Sequence, residues 1–78
     1  MPKLIPTSPR VIIKILTKLG FEEVRIRGSH HFFIHPSSKK STTVALHGNE
    51  VLGVGILKQI LRDIDLPVNE YEKLRNGK

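Results

Sequence analysis

The first helix is marked by apolar residues at helical spacing near the N-terminus. They recur at positions i, i+3, i+4 and i+7 and so share one face: Ile12, Ile15, Leu16 and Leu19. Ser8 before them is suited to an N-cap, and Pro9 to the first helical position. Gly20 follows as the residue expected to end the helix.

Two stretches of β-forming residues, at about 21–27 and 30–35, predict a hairpin around Gly28 and Ser29. Glycine at the first central position suits a type II′ turn, because it adopts positive φ without strain. This turn pairs Arg27 with His30. Alternation then assigns one set of side chains to the core face: Val24, Ile26, His31 and Phe33. The outer face receives the other set: Arg25, Arg27, His30, Phe32 and Ile34.

A third strand is predicted over 42–47, after a polar loop that contains Lys39 and Lys40. A six-residue loop would pair the second and third strands in three places: His35 with Thr42, Phe33 with Val44 and His30 with His47. The alternation of side chains along the third strand agrees with this pairing, since it places the apolar residues of that strand on the core face. One row of the outer face would then hold Arg27, His30 and His47.

A second helix is predicted to begin near Val54 or Gly55 and to end before Leu66-Pro67, with a short third helix over Val68 to Arg75. Both long helices need an apolar surface, and the core face of the sheet is the one available. We therefore expect an α+β two-layer sandwich with an uncovered outer face. Residues 1–78 form one domain: a tail at 1–7, a core at 8–66 and a helical appendage at 67–78.

The amino-acid composition limits the classes of function that the chain can have. The net charge is +6 and 38% of the residues are hydrophobic, which indicates a folded basic domain with an anionic partner. The absence of cysteine excludes disulfides, thiolate zinc sites and thiol catalysis, and is compatible with the cytoplasm. No apolar run reaches the ~20 residues of a membrane span. The proline-broken N-terminus is not typical of a signal peptide.

The outer face has the residue types for metal-independent RNA cleavage. Histidine can serve as base for the 2′-hydroxyl and as acid for the leaving oxygen, and cations stabilise the charge that develops on the phosphate. We therefore select His30 and His47 as catalytic candidates. Phe32 could stack a base. The cationic candidates for RNA contact are Arg25, Arg27, Lys39, Lys40, Lys14 and Lys18, although the stripe of Lys14 and Lys18 also fits an ordinary solvated helix face.

The histidines also have interpretations other than catalysis. A metal site would suit imidazole, but His30 and His31 point to opposite faces, so no metal and no cofactor is predicted. His31 is interpreted as a partly buried structural residue between Ile26, Phe33 and Leu46. His35, before Pro36, is interpreted as surface or as a loop anchor.

The chain resembles the HicA toxin family of type II toxin–antitoxin systems. The resemblance is carried by V-R-I-R-G-S-H-H (24–31), H-P (35–36), T-V-A-L-H (43–47), G-I-L-K-Q-I-L-R (55–62) and L-P-V-N-E-Y (66–71). It implies an α-β-β-β-α fold like that of the double-stranded-RNA-binding domain, mRNA cleavage, and inhibition by a HicB-like antitoxin. The family's catalytic histidine maps onto His30, with His31 as the fallback. His47 corresponds to a histidine that in the family follows a proline, which is missing here.

Two alternatives remain beside an RNA endonuclease toxin. One is a non-catalytic RNA-binding module on the same fold. The other is a protein-interaction domain that docks an acidic partner through its basic face. Phe32 and Ile34 also fit a homodimer contact.

Overall fold

The computed structural model describes residues 4–46, 48 and 50–76. A helix is followed by three strands and two further helices, in the order α1 (Pro9–Lys18), β1 (Glu22–Arg27), β2 (His30–Ile34), β3 (Ser41–Ala45), α2 (Val54–Asp63) and α3 (Val68–Arg75). The strands form one antiparallel sheet in the order β1-β2-β3. The predicted α+β layout with a C-terminal helix is confirmed.

Local sequence signals determine both ends of α1. The Ser8 hydroxyl accepts a hydrogen bond from the Arg10 amide at 3.2 Å, and Pro9 occupies the first helical position. Gly20 lies beyond the C-cap with φ of +95°, a conformation that favours glycine. These caps satisfy backbone groups that a helix end leaves without partners, and they agree with the prediction.

The core lies between the helices and one face of the sheet. Its buried apolar residues come from α1, β2, β3, α2 and the connections: Ile12, Ile15, Leu16, Phe21, Phe33, Val44, Leu52, Leu57, Ile60, Leu61 and Ile64. The third helix contributes Tyr71, which is fully buried. Before α1, Thr7 forms a short antiparallel bridge with Leu52, which ties the start of the chain to the segment before α2.

The prediction that Val24 and Ile26 belong to the core was wrong. They are 59% and 57% exposed. The reason is the placement of the helical layer, since β3 is the strand that α1 and α2 contact most. The strand β1 lies two positions away at the free edge of the sheet, and all six of its residues are exposed. Alternation assigned Ile26 to the correct face of the sheet, but the helices do not extend over this edge.

Candidate functional site

The outer face of the sheet, on the side away from the helices, brings together four of the predicted site residues: His30, Arg25, Arg27 and Phe32. Arg27 lies opposite His30, and Arg25 lies opposite Phe32. The hairpin turn supports this register, because Gly28 has φ of +61° and leaves Arg27 and His30 as the last paired residues. His30 and both arginines are exposed, and Phe32 is half-buried.

The other neighbours on this face come from β3. Ala45 lies opposite His30, and Thr43 lies opposite Phe32. Along the row of His30, the face therefore presents a guanidinium, an imidazole and a methyl group. Thr43 contributes a hydroxyl to the next row.

The predicted pairing of His30 with His47 was wrong, because β3 is shifted by two residues relative to the expected register. The loop closes earlier than expected, since the His35 amide donates to the Lys40 carbonyl and the Lys39 amide donates to the His35 carbonyl. Lys39 adopts φ of +65° in this turn. His47 itself lies outside the described residues. The parity of the two strands is kept, so Phe33 and Val44 still face the core.

His35 is a loop anchor, one of the two roles considered for it. Its Nδ1 accepts hydrogen bonds from the amides of Ser37 and Ser38, at 3.2 and 3.3 Å. The ring also packs edge-on against Phe21, with 5.2 Å between ring centroids. This imidazole therefore holds the turn that sets the register between β2 and β3.

His31 lies on the opposite face of β2 from His30. It faces Ile26 on one side and Val44 on the other, and its side chain is 16% exposed. Its Nδ1 lies 2.5 Å from Oε1 of Glu23. The structural role expected for His31 agrees with this contact, although Glu23 was not predicted as its partner.

Glu23 reaches His31 because β1 contains a bulge. The register shifts between Glu23 and Arg25, so Glu23 and not Val24 lies opposite Phe33. The extra residue is Val24. No turn residue or glycine marks this position in the sequence, and an alternating pattern alone does not reveal it.

The lysines are distributed over different parts of the molecule. Lys40 forms an ion pair with Asp65, which follows α2, at 3.2 Å from Nζ to Oδ2. Lys39 is exposed on the loop between β2 and β3. Lys14 and Lys18 belong to α1, which packs on the other face of the sheet, so the fold does not bring them onto the outer face.

Within the described ranges, no three histidine, aspartate or glutamate side chains converge in a way that would hold a metal ion. Over the same residues, none of the helices has the length and apolar character needed to cross a bilayer.

Comparison with known families identifies a match over most of the chain. The model of the family described as HicA toxin of bacterial toxin–antitoxin matches residues 9–66 of the 78-residue chain. The matched segment begins at the first residue of α1, includes the whole sheet and α2, and ends just before α3. No curated protein matches the chain.

Proposed function

Because the chain belongs to the HicA toxin family of bacterial toxin–antitoxin systems, we propose that it is an endoribonuclease that cleaves mRNA in the cytoplasm without a metal ion. A HicB-like antitoxin would neutralise it. The observation that supports this activity most is the exposed imidazole of His30 directly opposite Arg27 on the uncovered face of the sheet.

The reaction requires two proton transfers and stabilisation of charge. The 2′-hydroxyl loses its proton and its oxygen forms a bond to phosphorus, while the bond from phosphorus to the 5′-oxygen breaks and that oxygen takes up a proton. We assign one of these transfers to His30. His47, which lies outside the described residues, remains the proposed partner for the other.

The outer face supplies the remaining functions through neighbouring side chains. Arg27 would approach the phosphate that His30 acts on, since the two residues are paired across the hairpin. A guanidinium can donate two parallel hydrogen bonds to phosphate oxygens, which stabilises the negative charge that develops there. Arg25 would contact the next phosphate. Phe32, opposite Arg25, would stack one base of a single strand.

The test is cleavage of single-stranded RNA by the purified chain, with His30→Ala protein as the blank. We expect cleavage to continue in excess EDTA. Expression of the chain alone should arrest growth with loss of mRNA integrity, and co-expression of the antitoxin should relieve the arrest. Loss of cleavage in EDTA that zinc or magnesium restores would contradict the metal-independent mechanism. Tight RNA binding without any cleavage would instead support the non-catalytic RNA-binding module.

A further inference from the structure

A groove of about 450 Å³ runs between α1 and the residue that follows β3. Its lining is Arg10, Ile13, Lys14, Thr17, Lys18 and Leu46. The two aliphatic residues are half-buried and form an apolar floor. Thr17 adds little polarity, because its hydroxyl donates to the Ile13 carbonyl at 2.9 Å.

Three cations border the groove. Arg10, Lys14 and Lys18 follow one another at helical spacing along α1, and all three are exposed. In the part of the chain that the structure describes, the ion pairs use His31, Lys40, Lys73 and Arg75, and none uses these three residues. The first turn of α1 contains no acidic residue. Among the described residues, the positive charge of the rim is therefore not neutralised by any ion pair.

The apolar surface is not restricted to the groove. Ile26 lies on the same face of the sheet as the helices and is 57% exposed, because the helical layer does not reach β1. A partner seated beside α1 would find an aliphatic floor in the groove, and Ile26 adds exposed apolar surface on the same side of the sheet. The partner would also meet cations along the helix.

We propose that this groove docks an acidic, amphipathic segment of a protein partner. Apolar side chains of the segment would contact Ile13 and Leu46, and its carboxylates would lie near Lys14 and Lys18. The identification of that partner as the antitoxin rests on the proposed function. The geometry of the groove itself is independent of the proposed function.

RNA and a second copy of the chain fit this surface less well. The lining contains no aromatic side chain on which a base could stack, whereas the outer face offers Phe32. A second copy also carries a net charge of +6. Most of its carboxylates already have partners within the chain, among them Glu23, Asp63, Asp65, Glu70 and Glu72.

The experiment is an NMR titration of the full ¹⁵N-labelled His30→Ala chain with two synthetic helical peptides. One has leucine at positions i, i+3, i+4 and i+7 with glutamate at the flanking positions, and the other has lysine in place of every glutamate. We expect the glutamate peptide to shift the amides of Ile13, Thr17 and Leu46 with a dissociation constant below ~1 mM. The lysine peptide should leave them unchanged.

Charge reversal tests the rim directly. Lys14→Glu with Lys18→Glu should weaken binding of the glutamate peptide on the order of tenfold or more. Lys58→Glu with Arg62→Glu makes the same charge change at the same spacing on α2 and should leave binding within about twofold.

Several results would overturn the proposal: no binding of the glutamate peptide, equal binding of both peptides, or shifts confined to another surface. Single-stranded RNA that shifts the same three amides would assign the groove to RNA instead. Because the titration does not require cleavage, its failure is distinct from failure of the proposed nuclease activity.

Discussion

His30 and His31 are adjacent in the sequence but lie on opposite faces of β2. His30 is exposed on the outer face beside Arg27, whereas His31 faces the helical layer and contacts Glu23. Since consecutive side chains of a strand point in opposite directions, only one of the two imidazoles can act on a nucleic acid that crosses the outer face.

Replacement of His30 should stop the chemistry and preserve the fold. We expect His30→Ala to reduce the rate of RNA cleavage by about 10²-fold or more, the usual contribution of a general acid or base. Thermal unfolding should be nearly unchanged, because the side chain is exposed. Normal cleavage by this variant, together with an inactive but fully stable His31→Ala protein, would transfer the catalytic role to His31.

The His31–Glu23 pair should contribute to stability. We expect His31→Ala to lower the free energy of unfolding by about 1–2 kcal/mol, since it removes a half-buried ring and its hydrogen bond. A double-mutant cycle with Glu23→Gln, measured by urea denaturation, should give a coupling energy of about 0.5–1 kcal/mol. Additive effects of the two substitutions would show that the contact has no energetic role.

RNA affinity should depend on salt through the outer face. The logarithm of affinity falls with the logarithm of salt concentration by about 0.7 for each phosphate neutralised on a single strand. Arg27→Ala should therefore reduce the slope by about 0.7 and weaken binding to all sequences alike. Phe32→Ala should weaken binding without changing the slope.

These affinities are best measured in His30→Ala protein, which binds without cleaving. Lys58→Ala on α2 is the control for loss of one positive charge away from the site. If Arg27→Ala and Lys58→Ala change the slope equally, the outer face is not the RNA site.

Tyr71 should make stability sensitive to alkaline pH. Burial raises the pKa of its phenol above the ordinary value of 10.0. Its hydroxyl lies near Thr7 but makes no hydrogen bond of good geometry within the described residues. The folded state holds the phenolic proton more tightly than the unfolded state. The protonated phenol of Tyr71 therefore makes its full contribution to the free energy of unfolding below pH 10, and this contribution is lost as the pH rises through the raised pKa.

The measurement is urea denaturation between pH 8 and about 11, the range on both sides of an ordinary tyrosine pKa. Tyr71→Phe should lose less stability than the parent chain over this range. At neutral pH the same variant should be as stable or slightly more so, since no well-formed hydrogen bond is lost. Parallel stability curves for the two proteins would refute the effect.

Gly20 should be intolerant of alanine for two reasons. Its φ is +95°, and a Cβ there would lie 3.1 Å from Nε2 of His35. We expect Gly20→Ala to lower the melting temperature and to cost about 1–2 kcal/mol. Gly55→Ala is the matched control, because Gly55 lies in α2 with open space at its Cβ, and it should stabilise by about 0.5–1 kcal/mol. A stable Gly20→Ala protein would show that the turn and ring readily adjust.

The helices and the hairpin could be predicted because their signals are local. Ser8, Pro9 and Gly20 specify the ends of α1 through their own backbone and side-chain chemistry. The turn at Gly28 likewise sets the pairing of Arg27 with His30 without reference to the rest of the chain. This register alone was enough to predict which side chains of the hairpin share the outer face of the sheet.

The features that escaped prediction depend on contacts between distant parts of the chain. The position of the second loop, and with it the register of β3, was misjudged because the His35 ring accepts two backbone hydrogen bonds inside the loop, which no pattern of apolar residues encodes. The bulge that brings Glu23 to His31 also has no local signal. The exposure of Ile26 depends on where the helices pack, and hydrophobicity alone does not determine that placement.

The strand β1 supplies two arginines of the proposed RNA site and none of the buried core. Selection for a stable fold and selection for RNA binding therefore act on largely separate positions. Replacements at Arg25 or Arg27 leave core packing intact, so lineages that carry this fold can change the strength of RNA binding without first acquiring compensating changes in the interior. Divergence among such chains should accordingly be greater in β1 than in β2, where Phe33 is held by the core.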